Sequence, residues 1–196
     1  ALLGGNMKES TRQLIIRAIV IEGGVLGIAL IWTYFQAIPW WKTLTPTLRY
    51  ICIGIGAGIV LLTLNYLAIE YGARYVSFFR TIKYLLEQDV SPLFRNLHLG
   101  LVTLIAILSG VIEETFFRGV LQSQFGLVLS SLFFGLAHIW KTTAIGYGIY
   151  AAVIGLYFGG LYEITGNLWV PIIAHILNNF VAIWYYMQSS ISRSDQ

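Results

Sequence analysis

Six stretches of this chain are apolar over about the length a helix needs to cross a lipid bilayer, some 20 residues. They fall at 14–35, 50–71, 99–124, 127–140, 144–163 and 168–187. Inside a bilayer no water satisfies backbone N–H and C=O groups, so each run reads as a transmembrane helix. The fold class expected is all-α, a multi-pass helical bundle of about six helices. Composition agrees: 57% of the 196 residues are hydrophobic and 11% charged, where a soluble domain carries about a quarter charged residues. The run at 127–140 is short, about 21 Å at helical rise, and reads as a helix that stops at a water-filled cavity.

Between the second and third runs lies ARYVSFFRTIKYLLEQDVSPLFRNLH, where Arg74, Arg80, Lys83 and Arg95 interleave with apolar residues. This pattern predicts an amphipathic helix on the membrane surface, broken at Pro92. If the spans alternate, those four residues share a side with Lys8, Arg12, Arg17, Lys141 and Arg193, against Lys42 and Arg49 on the other. Both termini are therefore expected in the cytoplasm. Trp40, Trp41, Tyr50, Trp140, Trp169, Trp184 and Tyr185 sit near span ends, as interfacial aromatics do. Gly54, Gly56, Gly58, Gly155, Gly159 and Gly160 are expected to permit close helix contact. Cys52 is the single cysteine, so no intrachain disulfide can form, and it reads as a small buried residue. Met7 reads as a natural start, with residues 1–6 a remnant ahead of it and no cleavable signal peptide in evidence. The net charge is +3 with scattered basic residues, which leaves no patch for nucleic acid.

The ionisable residues read as buried in the membrane are few: Glu22, Glu70, Glu113, Glu114, Arg118, His138, Glu163 and His175. Each costs free energy in lipid and so marks a candidate site. Glu22, Glu70 and Glu163 lie nearer span ends and read as structural. In GVIEETFFRG, Glu114 and Arg118 are four apart on one helix face and can pair, whereas Glu113 points about 100° away. An unpaired carboxylate in an apolar setting is suited to take a proton as general base. A turn at Phe125-Gly126 would bring His138 to the depth of Glu113, and a turn at Thr165-Gly166-Asn167 would place His175 and Asn179, one helical turn apart, in the same layer.

Such a constellation can hydrolyse. Glu113 can take a proton from water held by His138, while His175 and Asn179 donate to the oxyanion of a scissile carbonyl. Ser109, Ser130 and Ser131 have no nucleophile context. Zinc held by Glu113, His138 and His175 is the chemical rival, although HExxH is absent. A structural ion cluster is the bland alternative, and a proton or ion transporter another, against which no repeat pair is found.

The motifs carry a resemblance. Glu113-Glu114-Thr115-Phe116-Phe117-Arg118 fits EExxxR, Phe134-Gly135-Leu136-Ala137-His138 fits FxxxH, and His175-Ile176-Leu177-Asn178-Asn179 fits HxxxN, preceded by Asn167-Leu168-Trp169-Val170-Pro171. Taken in this order over 99–182, the chain resembles the CPBP intramembrane proteases, the CAAX protease/Abi family that includes type II CAAX prenyl endopeptidases. The resemblance implies an intramembrane glutamate-dependent endopeptidase whose last four helices form a conical catalytic cavity. Its catalytic residues would be Glu113, His138, His175 and Asn179, with Glu114, Arg118 and Phe134 supporting. No cofactor is implied beyond the zinc alternative. The partners implied are the lipid bilayer and a membrane-associated peptide or protein, lipid-modified or not; the expected location is a bacterial plasma membrane. A bacteriocin-immunity or scaffold protein is the non-enzymatic alternative within the same family. The organisation expected is an N-terminal tail (1–13), two spans and the surface helix (14–98), a catalytic core (99–187) and a C-terminal tail (188–196).

Overall fold

A computed structural model describes the backbone of residues 2–95 and 97–194, and side chains for 12–95 and 97–188. The described residues are mostly helical, with no strand among them. The side chains of Lys8 and Arg193, used above for orientation, lie outside the described residues. Helix α1 (Leu2–Gln36) runs through the expected N-terminal tail into the first span. It is followed by α2 (Leu48–Tyr66), α3 (Ser77–Leu85), a short α4 (Ser91–Phe94), α5 (Leu99–Glu114), α6 (Ser123–Ala137), α7 (Ile145–Thr165) and α8 (Trp169–Ser194).

Among the described residues, five continuous helical stretches are long and apolar enough to cross a membrane: Arg12–Gln36, Leu48–Arg74, Leu99–Ala137, Thr142–Thr165 and Trp169–Gln188. The third holds two of the six expected runs. Its chain reverses at Gly126, whose φ of 77° and ψ of 175° are non-helical, a backbone state open to glycine and costly for other residues. Across that reversal the Phe117 and Phe134 rings meet at 5.0 Å and Glu113 meets His138, so the two arms are antiparallel and in register. From Leu127 to Ala137 the return arm reaches only about 17 Å, so it ends inside the bundle, as its sequence length predicts.

Loops mark the two ends of the bundle. At one, Leu168 N–H donates to Thr43 C=O at 3.1 Å and the Asn167 amide donates to Thr45 C=O at 2.9 Å. Asn167 Oδ1 also accepts the Trp169 N–H at 2.9 Å, satisfying an orphan donor at the start of α8. Left-handed Gly166 (φ 61°) closes α7 there. At the other end Lys83 pairs with Glu70, and Lys141 with Asp89. Glu70 is thus held by a partner at a span end, as its position suggests.

The expected surface segment is helical but is not broken at Pro92. The chain widens into a π turn at Leu86–Val90, and Pro92 then falls in the first turn of α4, where its missing N–H costs no helical bond. Ile82, Leu85 and Ser91 are buried, and Ser91 Oγ donates to Tyr186 C=O at 2.8 Å. The segment is therefore stitched onto α8 as well as being amphipathic.

Close helix packing uses glycine, as expected in lipid, where dispersion must hold helices together. A Cβ at Gly54 would lie 2.8 Å from Ile173, and one at Gly58 2.9 Å from Leu177, so α2 and α8 touch nearly backbone to backbone. Gly159 is crowded too, at 2.4 Å, and Gly155 is close-packed at 3.2 Å, but Gly56 and Gly160 face open space, contrary to expectation. The face of α2 used is Gly54, Ala57, Gly58 and Leu61, which turns Cys52 outward; it is exposed rather than buried. The tightest approach to backbone joins α6 to α7: a Cβ at Gly135 would sit 2.5 Å from Gly148 O. We expect Gly135→Ala to destabilise the protein by about 1–3 kcal/mol, seen as a lowered melting temperature in detergent, with Gly56→Ala as the silent control.

Candidate active site

The site is assembled where the α5 arm and α6 face each other. Immediately after Glu114 the helix widens into a π segment, Thr115–Gln122, of which all but Phe116 is buried. Such π turns gather at functional sites because they displace the regular side-chain rows. Glu114 and Arg118 are both fully buried. Arg118 Nε lies 3.2 Å from Glu114 Oε2, an ion pair without hydrogen-bond alignment. The guanidinium also donates to Gly155 C=O at 3.0 Å and sits over the Phe134 ring, 4.5 Å from its centre. Pairing of Glu114 with Arg118 was expected from spacing. That the second oxygen of Glu114 accepts from His175 Nδ1 at 2.7 Å was not.

Glu113 points elsewhere. Its Oε2 is buried with no hydrogen-bond partner and lies 3.9 Å from His138 Nε2. His138 closes α6, and its Nδ1 is 2.7 Å from Phe134 C=O. A carbonyl only accepts, so Nδ1 carries a proton, and with the ring neutral the Nε2 lone pair is turned toward Glu113. In that form two acceptors face each other across a gap too long for a hydrogen bond. Phe134 is the platform of the cluster: its ring is 4.5 Å from the His138 ring and 6.0 Å from the His175 ring. Phe158 stacks on His175 at 4.8 Å. Asn179, one turn beyond His175, donates to Ser109 Oγ at 3.0 Å.

His138, Ser109 and Asn179 line a cavity of about 610 Å³. Its walls are not confined to the last four helices: Asn65 and Tyr66 of α2, Val90 of the surface segment and Phe94 of α4 also contribute. The first two spans and the surface segment have no recognisable motif, so sequence could not assign them to the wall. Glu113 and His175 are set behind that lining.

Two kinds of residue escaped the sequence reading. Ser109, dismissed as a nucleophile, is a partner of Asn179; it stands four residues before Glu113 on the same helix, a signal that was available. Glu22 was placed near a span end, but it interacts electrostatically with Glu113 and His175, and its Oε2 is buried without a partner. Nothing in the α1 sequence says which helix that face meets. Glu163 accepts from the Gln122 amide at 3.2 Å, away from the site, as a structural residue would. Among the described residues no three His, Cys, Asp or Glu side chains gather as a metal-ligand set.

Comparison with known proteins meets the same segment. Residues 95–181 match the family model of Rce1-like type II CAAX prenyl endopeptidases. The uncharacterized protein YpbD of Bacillus subtilis (strain 168) is 37% identical over 76 residues, covering 39% of this chain. The match spans 40% of the length of that relative. No solved structure matches. With its apolar helices, the chain is an integral membrane protein, and its segment 95–181 is similar to the Rce1-like type II CAAX prenyl endopeptidases.

Proposed function

We propose that the protein is an intramembrane endopeptidase that hydrolyses a peptide bond of a membrane-associated peptide or protein, using Glu113 and His138 to activate water. The observation that carries this reading is the facing pair Glu113 Oε2 and His138 Nε2, 3.9 Å apart, with His138 on the cavity wall and Glu113 just behind it. Two normal hydrogen bonds of about 2.8 Å from one water span that gap at an angle of about 90°. The water then donates one hydrogen to each group and keeps its lone pairs for attack on the carbonyl carbon. As the C–O bond forms, its proton passes to Glu113, which can return it to the departing amine as the C–N bond breaks.

The tetrahedral oxyanion needs donors. Asn179 supplies its amide. His175 spends its Nδ1 proton on Glu114, so it donates through Nε2 only as an imidazolium, and the Glu114 carboxylate supports that charge. Phe134 keeps both imidazoles in place. The cavity reaches toward Glu70 and Leu86, at the end of the bundle that also carries Arg74, Arg80 and Lys141. By the excess of basic residues this end is cytoplasmic, and the scissile bond enters from there.

Zinc would require Glu113, His138 and His175 on one ion. Among the described residues that set does not gather, which favours hydrolysis without a shared ion. In proteoliposomes with lipid-anchored quenched fluorogenic peptides, we expect cleavage to persist in millimolar chelator. Activity lost in chelator and restored by zinc would overturn the metal-free mechanism. Cleavage at full rate by His138→Ala would overturn water activation by the pair.

A further inference from the structure

We infer that Tyr150, Asn65 and Asn178 are positioning residues, forming with Ser109 a directed hydrogen-bond relay that fixes the Asn179 amide as a donor toward the cavity. The inference rests on the oxyanion role proposed for Asn179. Tyr150 of α7 donates to Asn65 Oδ1 at 2.5 Å, and the Asn65 amide donates to Asn178 Oδ1 at 2.8 Å. The Asn178 amide donates to Asn179 Oδ1 at 3.3 Å, the longest link, and the Asn179 amide donates to Ser109 Oγ at 3.0 Å. Five side chains from α7, α2, α8 and α5 are thereby joined, and all five line the cavity.

The direction of the relay is set at its far end. Ser109 has one hydroxyl proton and gives it to Ala106 C=O at 3.3 Å. A carbonyl cannot return a proton, so Ser109 can only accept from Asn179. The Asn179 NH₂ must therefore face Ser109, with one hydrogen bonded and one left over, and its Oδ1 must accept from Asn178. The same constraint passes back through Asn178 to Asn65 and ends at Tyr150, which must donate. An isolated asparagine at a cavity wall could present either end of its amide; this one is held as a donor, as an oxyanion requires. Asn65 and Tyr150 lie outside the three motifs, and Asn65 lies outside the family match altogether.

Asn65→Asp is the discriminating change, because the carboxylate keeps the shape but cannot donate. Asn178 would turn its NH₂ toward the introduced carboxylate, and Asn179 would turn its oxygen toward Ser109. With a lipid-anchored quenched fluorogenic peptide in proteoliposomes, we expect kcat to fall about 10²-fold with KM and melting temperature unchanged. Asn65→Ala should fall similarly, and Tyr150→Phe less, since only the last donor is lost. In an Asn179→Ala background Asn65→Asp should cost nothing further. An equal cost in that background, or an unchanged kcat in the single variant, overturns the relay. Full activity of Asn179→Ala alone overturns instead the oxyanion role beneath it. Should the wild type cleave no such peptide, the hydrolytic reading fails while the relay still stands or falls by NMR. In nanodiscs with ¹⁵N-labelled asparagine, Asn65→Asp should move the Asn179 side-chain amide pair, and an unmoved pair overturns the relay.

Discussion

Glu113→Gln should abolish peptide hydrolysis, by about 10²–10⁴-fold, while leaving the protein as stable as before or more so. The two halves of this expectation have one cause. Glu113 holds a buried oxygen with no hydrogen-bond partner, 3.9 Å from His138. A carboxylate in that position makes no structural hydrogen bond that glutamine would lose. What glutamine cannot do is accept the proton of an attacking water. Activity measured on a lipid-anchored peptide and melting measured in detergent should therefore part company: the first collapses and the second holds. A variant that melted early and lost activity in proportion would assign Glu113 a structural role.

Glu114→Gln, one residue along, should behave in the opposite way on stability. Its carboxylate faces the fully buried Arg118 at 3.2 Å and receives His175 Nδ1 at 2.7 Å. Neutralising it strands a guanidinium that keeps one carbonyl and the Phe134 ring but loses its counter-charge. Breaking a buried pair from one side costs about 3–5 kcal/mol. Activity should fall too, because His175 loses the group that supports its imidazolium form. A double change, Glu114→Gln with Arg118→Met, should recover much of the stability, since removing both charges leaves nothing uncompensated, yet it should not recover activity. If the double variant regained activity, His175 would not depend on Glu114 as argued.

The contrast between these neighbours was partly legible in the residues themselves. Helical spacing alone separates Glu114, in reach of Arg118, from Glu113, which faces away. Counting from Phe125-Gly126 puts Glu113 and His138 at one depth, and the reversal at Gly126 delivers it. Counting along a helix conveys depth and face because lipid leaves the backbone few alternatives. It conveys nothing about which helix lies across a face. For that reason Glu22 was misplaced, the contribution of α2 to the cavity went unseen, and Asn65 and Tyr150 carried no signal. The winding of 115–122 was hidden too, since a π segment leaves no periodic mark in eight residues. Pro92 misled for a local reason: a proline that stops a helix interior is tolerated in a first turn.

The central claim is that Glu113 makes this protein a peptidase. The most direct measurement compares membrane peptides from cells producing the wild-type chain with those from cells producing Glu113→Gln at equal abundance. At least one membrane-associated peptide should be shortened in the first and intact in the second. Identical peptide profiles, with both proteins folded and inserted, would contradict it.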